Sequence, residues 1–387
     1  MVLETKFAGS ARGLLPLAVW GGVATVATLG LYRCWIKTRL RRWYWSAIQP
    51  GGHPLEYTGL GGEKFQGFLI AVVALALYIA VVNSVLMYLG FAALNSEHGG
   101  PVMAVIAIAP MVIYARYRAR AYLLGRTRWR GIRFGLEAGA GGYVLRMLAG
   151  ILAVGLTLGA ALPYVFWDLD RYITERTWWG TAQMRMEGDW RELIPAARYL
   201  WIGLGALLLV AAAALLIDRA ALFGLLIAGP LTLGGWAYFR AEGFRIMTNA
   251  KSVGVMRLRA NPDTKAIVGT VFVGVTVVYG GLAVAVTLAQ RGFDGRIAAI
   301  SYNDMTELLV NVSAQWAILA SFLAVMIAIY LFWAVLMHLV LVLPLLRLYA
   351  TAVSIEGDGF AAVAQREEAR FATADGFGEA LDLGAGL

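Results

Sequence analysis

Apolar runs long enough to cross a bilayer as helices recur along most of this chain. A hydrocarbon core about 30 Å thick needs about 20 apolar residues in a helix. The runs that meet or approach this length have the approximate bounds 14–32, 67–94, 101–115, 143–166, 199–217, 220–239, 266–289 and 314–343. Only 15% of the residues are charged, against roughly 25% in an average soluble domain. A single soluble core is therefore excluded, and we expect an integral membrane protein.

These runs predict an all-α polytopic membrane protein with internal repeats and six to eight membrane helices. The third run is short, but it extends to about residue 120 if its arginines reach toward the interface. Short stretches that alternate with period two, such as 53–57 and 132–136, predict small β-hairpin elements on the cytoplasmic side. The expected parts are a first repeat (1–140), a second repeat (141–262), a helical hairpin (263–350) and an acidic cytoplasmic tail with a disordered end (351–387).

Basic residues are concentrated after the first, third and sixth apolar runs. They are Arg33, Lys37, Arg39, Arg41 and Arg42; Arg116, Arg118, Arg120, Arg126, Arg128, Arg130 and Arg133; and Arg240, Arg245, Lys251, Arg257, Arg259 and Lys265. The positive-inside rule assigns all three groups to the cytoplasm, as in a multi-pass bacterial inner-membrane protein with a cytoplasmic C-terminus. The net charge of +9 therefore indicates anionic headgroups as partners. Nucleic-acid binding is not expected, because no motif for it is present.

The sidedness conflicts with a full crossing by segment 143–166, since that crossing would put the third basic group outside. Two arrangements resolve the conflict. In the first, segments 14–32 and 143–166 begin and end on the cytoplasmic face as re-entrant or interfacial helices, which their glycines suit. In the second, the chain has eight ordinary spans in inverted halves, a plan found in many transporters. We prefer the first arrangement, and both stay open on the sequence alone.

One constant offset aligns two parts of the chain without gaps. Thr28-Leu-Gly30 falls on Thr157-Leu-Gly159, Arg42-Trp43 on Arg171-Tyr172, and Gly51 on Gly180. A tripeptide, a basic-aromatic pair and a glycine rarely agree at one offset by chance. We therefore predict an internal duplication.

Four strings carry a resemblance to a known family. They are Thr28-Leu-Gly-Leu-Tyr-x-x-Trp35, Arg39-x-Arg-Arg-Trp-Tyr44, Gly52-His-Pro-Leu-Glu-Tyr57-x-Gly59 and Thr127-Arg-Trp-Arg-Gly-Ile-Arg-Phe134. With them the chain, from Phe7 to the last membrane helix, resembles the YjgN family of bacterial inner-membrane proteins, also described as domain-of-unknown-function family 898 (DUF898). The chain departs from the pattern at Asp168-Leu-Asp170, where a basic run is usual. The resemblance implies location and architecture, but no reaction and no catalytic residue.

Arginine and lysine beside interfacial aromatics form the main candidate site. Guanidinium groups bind phosphate oxygens in a fork, and Trp and Tyr favour the membrane interface. The candidates for anionic lipid or phosphate contact are Lys37, Arg39, Arg41, Arg42, Arg116, Arg118, Arg128, Arg130 and Arg133, and the candidate interface anchors are Trp35, Trp43, Tyr44, Trp45 and Trp129. The competing interpretation is that these residues only set topology and anchor the chain.

Three polar residues, Asn83, Ser84 and His338, fall inside apolar segments. They are candidates for a substrate or proton path, or for hydrogen bonds that pack helices together. The sequence holds no catalytic motif, so we expect neither an enzyme nor a cofactor. A metal site is not expected either, and the single cysteine, Cys34, excludes a disulfide within one chain.

The sequence therefore predicts a non-enzymatic membrane protein that binds anionic lipid or a membrane-protein partner through its basic cytoplasmic face. A partner would be a second copy of the chain or another membrane protein, such as a membrane-linked protease. The alternative is a transporter or channel for a small anionic or amphipathic solute.

Overall fold

A computed structural model describes residues 2–78, 80–81, 84–85, 88, 99–300 and 312–365. Its α-helices are α1 Ala11–Ala27, α2 Arg33–Ala47, α3 Gly61–Tyr78, α4 Gly99–Gly125, α5 Ala140–Leu156, α6 Leu162–Thr174, α7 Ile194–Leu216, α8 Leu225–Asn249, α9 Thr264–Ile300, α10 Val312–Leu336 and α11 Leu343–Thr351. Its strands are β1 Val2–Phe7, β2 Ile48–Pro50, β3 Leu55–Tyr57, β4 Thr127–Trp129, β5 Ile132–Leu136, β6 Thr177–Trp179, β7 Ala182–Met186, β8 Lys251–Val253, β9 Met256–Ala260 and β10 Val353–Glu356. Asn83 and the tail beyond Gln365 lie outside the described residues.

The ten described strands form one antiparallel sheet that curls into a nearly closed barrel. Its strand order is β2-β1-β10-β9-β8-β7-β6-β5-β4-β3, so the two end strands are neighbours in sequence. The indole of Trp129 in β4 reaches across the gap and donates to the carbonyl of Pro50 in β2 (3.3 Å). The predicted all-α class is therefore wrong in part. The protein is mostly helical (72%), but its strands make a complete layer instead of isolated hairpin elements.

Strands and helices alternate in a regular way around the barrel. The strand pairs β1/β2, β3/β4, β5/β6, β7/β8 and β9/β10 are each connected through helices. The pairs β4/β5, β6/β7 and β8/β9 are connected by tight turns at Gly131, Gly180 and Gly254, which all have positive φ. Because the strands are antiparallel, the helices leave one rim of the barrel, here termed the helix rim, and the turns lie on the opposite turn rim.

Apolar side chains fill the interior of the barrel. The buried members of this core come from six of the ten described strands and are Leu3, Trp129, Trp179, Val253, Met256 and Ile355. The Trp129 and Trp179 rings lie 4.9 Å apart between centroids. Phe360, on the segment after β10, packs edge-on against Trp129 at 5.8 Å. This segment runs on to Ala364, whose carbonyl accepts from Thr181 N–H (3.0 Å), so residues predicted as an acidic tail close the turn rim.

Four helical stretches among the described residues are long and apolar enough to cross a membrane. They are Trp190–Leu216, Arg219–Asn249, Thr264–Gly292 and Leu319–Thr351. They coincide with the last four apolar runs of the sequence. The predicted count of six to eight is not confirmed. Segment 67–94 falls partly outside the described residues, and segment 101–115 is part of the 27-residue helix α4.

The apolar segments 14–32 and 143–166 form shorter helices that turn back. The pair α1–α2 leaves the helix rim at β1 and returns to it at β2, which is hydrogen-bonded to β1. The pair α5–α6 does the same between β5 and its neighbour β6. Each reversal lies at Thr-Leu-Gly and has the same left-handed backbone: φ is 51° at Leu29 and 91° at Gly30, and 49° at Leu158 and 93° at Gly159. The duplication itself stays a prediction, although these two reversals have one geometry.

Gly30→Ala tests the reversal without steric interference, because a Cβ at Gly30 would meet nothing within 4 Å. We expect a loss of about 1 kcal/mol in the free energy of unfolding, since an L-residue disfavours the left-handed region. The measurement is the thermal denaturation midpoint in detergent. Gly155→Ala is the matched control, because Gly155 is helical and equally open. An equal midpoint for Gly30→Ala and the control would contradict the expectation.

Candidate functional site

Basic residues of α2 repeat every fourth position and so share one face of the helix. They are Arg33, Lys37 and Arg41, and Lys64 from the first turn of α3 joins them. We term these four residues the basic column. Arg33 is exposed and Lys37 half-buried, whereas Arg41 is only 7% exposed and Lys64 1%. The column therefore runs from an exposed end near the Thr-Leu-Gly reversal to a buried end at the helix rim.

Tyr57, at the end of β3, holds the two buried cations of the column on its ring. The guanidinium carbon of Arg41 lies 5.9 Å from the ring centroid and the Lys64 ammonium 5.2 Å. Both distances fall within cation–π range. Burial raises the pKa of the Tyr57 hydroxyl, and the charge of Arg41 opposes that rise. The raised pKa keeps the hydroxyl protonated, so Tyr57 contacts the two cations as a neutral aromatic ring.

Glu63 is the acid of this cluster, and a third cation binds it. Its carboxylate accepts hydrogen bonds from the Tyr122 hydroxyl and from the guanidinium of Arg126, both at 2.9 Å. The side chains of this cluster named so far are therefore three cations, Arg41, Lys64 and Arg126, and the carboxylate of Glu63. Basic groups are in the majority among them.

Contacts with neighbouring helices place the second reversal, and the helix before the first reversal, beside two candidate spans. The indole of Trp201 donates to the carbonyl of Gly159 (3.0 Å), and Trp201 lies near the middle of the candidate span Trp190–Leu216. Gly22 of α1 packs directly against Leu331, inside the candidate span Leu319–Thr351. Arg33 follows the first reversal at once, since its N–H donates to the carbonyl of Gly30 (3.1 Å). Its backbone therefore lies level with the apolar part of the spans, where ionisable residues usually have a functional role.

The only cysteine of the chain lies on the same helix as the column. Cys34 is half-buried and within electrostatic reach of Lys64, Lys37 and Arg33. It is therefore a native probe of the local potential.

The remaining predicted phosphate contacts do not join the column. Arg39 is exposed over the Tyr32 ring, and Arg42 donates to the carbonyl of Gly59 (2.9 Å). Arg116 is exposed and Arg118 half-buried on α4. Arg128 and Arg133 are opposite each other on β4 and β5, on the outer wall of the barrel. Burial and the nearby Arg128 and Arg126 lower the pKa of Arg133. Arg130 lies on the turn rim, 5.2 Å from the Phe360 centroid and 3.3 Å from His53 Nε2.

Two of the predicted interface anchors are core residues, which corrects their assignment. Tyr44 is 1% exposed and packs among the buried residues of α1, α2 and α11, and Trp129 belongs to the barrel core. Trp35, Trp43 and Trp45 are half-buried. Trp45 donates to the Thr127 hydroxyl (3.0 Å) and so ties α2 to β4.

The polar residues predicted inside the membrane make packing contacts. His338 Nδ1 lies 3.1 Å from the Tyr44 hydroxyl, at a π-helical stretch, Met337–Val342, between α10 and α11. The hydroxyl of Ser84 donates to the carbonyl of Ala80, one turn earlier (2.7 Å). His338 therefore has a partner across helices, which favours the packing interpretation over a proton path.

Arg33 and Arg126 were predicted only as members of the basic groups, and Glu63 and Lys64 were not predicted at all. They follow Gly61-Gly62 just before the apolar run of α3. A charged pair at that position was a usable signal, but its partners Arg41 and Arg126 are distant in sequence. No group of three or more potential metal ligands occurs within the described ranges.

A polar cavity of about 650 Å³ lies between the base of α7 and the base of α8. Its walls include Glu187, Glu192 and Glu242 as well as Arg198 and Arg245. Because acids and bases are mixed there, the named walls of this cavity have no excess of basic groups.

Fold and site together define a membrane protein whose helices stand on one rim of a small barrel, with a buried basic cluster at the junction. The family model described as "Bacterial protein of unknown function (DUF898)" matches residues 2–221. The chain therefore belongs to the DUF898 family. No curated protein and no solved structure matches the chain.

Proposed function

We propose that the protein binds the phosphate headgroup of an anionic lipid at the basic column, in a bacterial inner membrane with the barrel on the cytoplasmic side. The observation that carries the proposal is the set of four cations, two of them buried, that extends from the helix rim to the depth of the spans. The outer wall of the barrel supports the orientation, because it presents Arg128, Arg133, Arg185 and Arg257, as expected on the cytoplasmic side.

Phosphate is the favoured ligand because the column combines both cationic side chains that recognise it. Arg41 offers a planar fork of donors, and Lys37 and Lys64 offer compact charges. Residues four apart on a helix lie about 6 Å from each other. A phosphodiester can therefore contact two members of the column at once. The exposed apolar faces of α1 and α3 beside the column, with Val23 and Ile70 among their exposed residues, would accommodate the acyl chains.

Lipid retention tests the proposal. The double variant Arg33→Gln/Lys37→Gln removes two charges at positions that are not fully buried, so the fold should persist. We expect the variant to lose most of the anionic lipid that copurifies with the wild type, as measured by mass spectrometry of extracted lipid. Arg185→Gln/Arg257→Gln is the matched control, because it removes two exposed charges from the barrel wall. Equal retention by the test variant and the wild type would contradict the proposal and favour a protein partner.

Cys34 gives a second readout that requires no lipid. Sulfonate-bearing and trimethylammonium-bearing methanethiosulfonates differ in charge but share one reaction with the thiol. We expect the anionic reagent to react faster with Cys34, and its advantage to fall several-fold in Arg33→Gln/Lys37→Gln, because the column raises the local concentration of anions. Anionic detergent or lipid should slow the reaction by occupying the column. A rate ratio unchanged by the double variant would argue against an anion-selective site.

Transport is the second candidate, because a charged column at membrane depth is also typical of an ion path. The packed barrel interior disfavours a conduit along the barrel axis. Such a conduit would require Trp129, Trp179 and Phe360 to leave their contacts. We therefore rank headgroup binding first.

A further inference from the structure

We infer that α1–α2 and α5–α6 are half-depth hairpins whose Thr-Leu-Gly reversals, here termed the tips, lie among the acyl chains of the leaflet on the barrel side. This inference concerns a lipid-facing surface and is independent of the anion bound by the column. Four observations carry it: the apolar exposure of the tips, the internal pairing of their backbone donors, the depth of the α5–α6 tip, and their contrast with a longer hairpin.

Each tip presents a leucine outward. Leu29 is 95% exposed and Leu158 72%. Both leucines have a left-handed backbone, which disfavours a side chain. The neighbouring Leu31 and Leu156 are exposed as well. In water, nothing would compensate the free-energy cost of a left-handed leucine whose side chain is exposed. Among acyl chains the exposed leucines are favourable.

The first tip satisfies its own backbone donors. The N–H groups of Leu29, Gly30 and Leu31 donate to the carbonyls of Val26, Thr25 and Thr28. The Tyr32 N–H donates to the Thr28 hydroxyl (2.9 Å), and that hydroxyl donates to the carbonyl of Ala24 (2.8 Å). A chain reversal in hydrocarbon must pair its polar groups internally, because no water is present to pair with them.

The second tip repeats this scheme with different neighbours. The N–H groups of Leu158, Gly159 and Ala160 donate to the carbonyls of Gly155, Val154 and Thr157. The Ala161 N–H donates to the Thr157 hydroxyl (3.0 Å), which donates to the carbonyl of Ala153 (2.7 Å). Two reversals in different helix pairs thus meet the requirement of a lipid environment in the same way.

The reversal between α7 and α8 is charged, unlike the two apolar tips. It holds Asp218 and Arg219, both exposed, and the Asp218 carboxylate accepts from the Ala220 N–H (2.9 Å). These charges are suited to water on the far side of the membrane. The α5–α6 tip lies beside Trp201 and Leu204, about midway along the candidate span that ends at this charged reversal. The α5–α6 tip therefore stops inside the bilayer, whereas the α7–α8 hairpin crosses it. We infer the same depth for the α1–α2 tip because its backbone and internal hydrogen bonds are the same.

One leaflet therefore holds more helices than the other. The helix pairs α1–α2 and α5–α6 add volume to the barrel-side leaflet alone. Extra volume in one leaflet is expected to favour membranes that are convex on the barrel side.

Depth-dependent quenching tests the inference. Single cysteines replace Leu29, Leu158, Phe223 and Val255 in the Cys34→Ser background, and each carries the environment-sensitive fluorophore NBD. The full chain is reconstituted in vesicles that contain lipid spin-labelled either near the headgroup or near the end of the acyl chain. Val255 is an exposed control on the turn rim, and Phe223 an exposed control beside the charged α7–α8 reversal.

We expect NBD at positions 29 and 158 to be quenched most strongly by the deep spin label and little by aqueous iodide. At position 255 iodide should quench and neither spin label should. At position 223 the shallow label should quench more than the deep one. Iodide quenching at 29 and 158 that matches position 255 would overturn the inference. So would protection from both iodide and spin label, because it would mean that protein covers the tips. Equal retention of anionic lipid by the wild type and Arg33→Gln/Lys37→Gln would overturn the proposed function and leave this inference intact.

Discussion

Trp179→Ala is expected to destabilise the barrel by about 3–5 kcal/mol, the range typical of a buried tryptophan truncated in a core. Trp179 is 2% exposed and packs against Trp129 and Phe134. Its removal leaves a cavity that strands of three to six residues cannot close by shifting, because each is tied to helices on one rim. The loss should appear as a lower midpoint for thermal denaturation in detergent, followed by size-exclusion chromatography after heating.

Trp178→Ala is the matched control for that experiment. Trp178 is the same residue type on the same strand, but it points to the outer wall and is half-buried. We expect a clearly smaller loss for Trp178→Ala. If both variants lowered the midpoint equally, the barrel interior would not be the packed core described here. The same result would remove the argument against a conduit along the barrel axis.

The membrane class and the apolar segments could be predicted because lipid imposes a length and a composition on a spanning helix. The runs at 199–217, 220–239, 266–289 and 314–343 each coincide with a candidate span. The reversals at Thr28 and Thr157 could also be anticipated from the sequence, because a repeated tripeptide with glycine indicates a repeated backbone conformation. Local patterns of this kind need no knowledge of distant contacts.

The barrel could not be predicted in the same way. Several strands have only three residues each, among them β2, β4, β6 and β8. Three residues are too few for an alternating pattern to be distinctive. Their pairing depends on closure between β1 and β10, which are separated by almost the whole chain. The predicted β-hairpin elements were therefore too small in extent.

The candidate site was predicted in part for a similar reason. The spacing of Arg33, Lys37 and Arg41 reveals a shared helix face, but it does not reveal that Arg39 and Arg42 point elsewhere. Arg128 and Arg133 are one β-turn from each other, yet they belong to the outer wall and not to the column. The assignment of Tyr44 and Trp129 as interface anchors failed because aromatic rings beside arginines occur in a core as well as at an interface.

Glycine contacts within the helix pairs recur at the sequence offset that aligns Thr28 with Thr157. Gly21 of α1 packs directly against Ile36, and Gly150 of α5 packs against Val165 in the same way. Such contacts bring two helices close enough for dispersion to hold them where lipid supplies little hydrophobic drive. Glycines also bring α7 and α8 together, at positions where a Cβ would meet backbone atoms of the facing helix.

Gly235→Leu is expected to separate α7 from α8 and to cost about 3 kcal/mol, at the upper end of overpacking effects. A Cβ at Gly235 would lie 2.5 Å from the carbonyl oxygen of Tyr199 and 2.7 Å from Leu200 Cα. Both are backbone atoms, so no side-chain rotation relieves the clash. Facing them, Gly203 is equally close to the backbone of Thr232. The whole hairpin would have to splay, which should lower the denaturation midpoint and the yield of monodisperse protein.

Gly229→Leu is the control for Gly235→Leu, because it makes the same substitution in the same helix where a Cβ meets nothing within 4 Å. We expect this control to keep the wild-type midpoint, since a leucine there adds only lipid-facing surface. The pair of variants also tests the depth argument for the tips. Gly159 rests on Trp201 and Leu204 of α7, so splaying α7 should displace the α5–α6 tip and change NBD quenching at position 158 but not at position 29. Equal midpoints for the two glycine variants would show that α7 and α8 do not meet along Gly203 and Gly235.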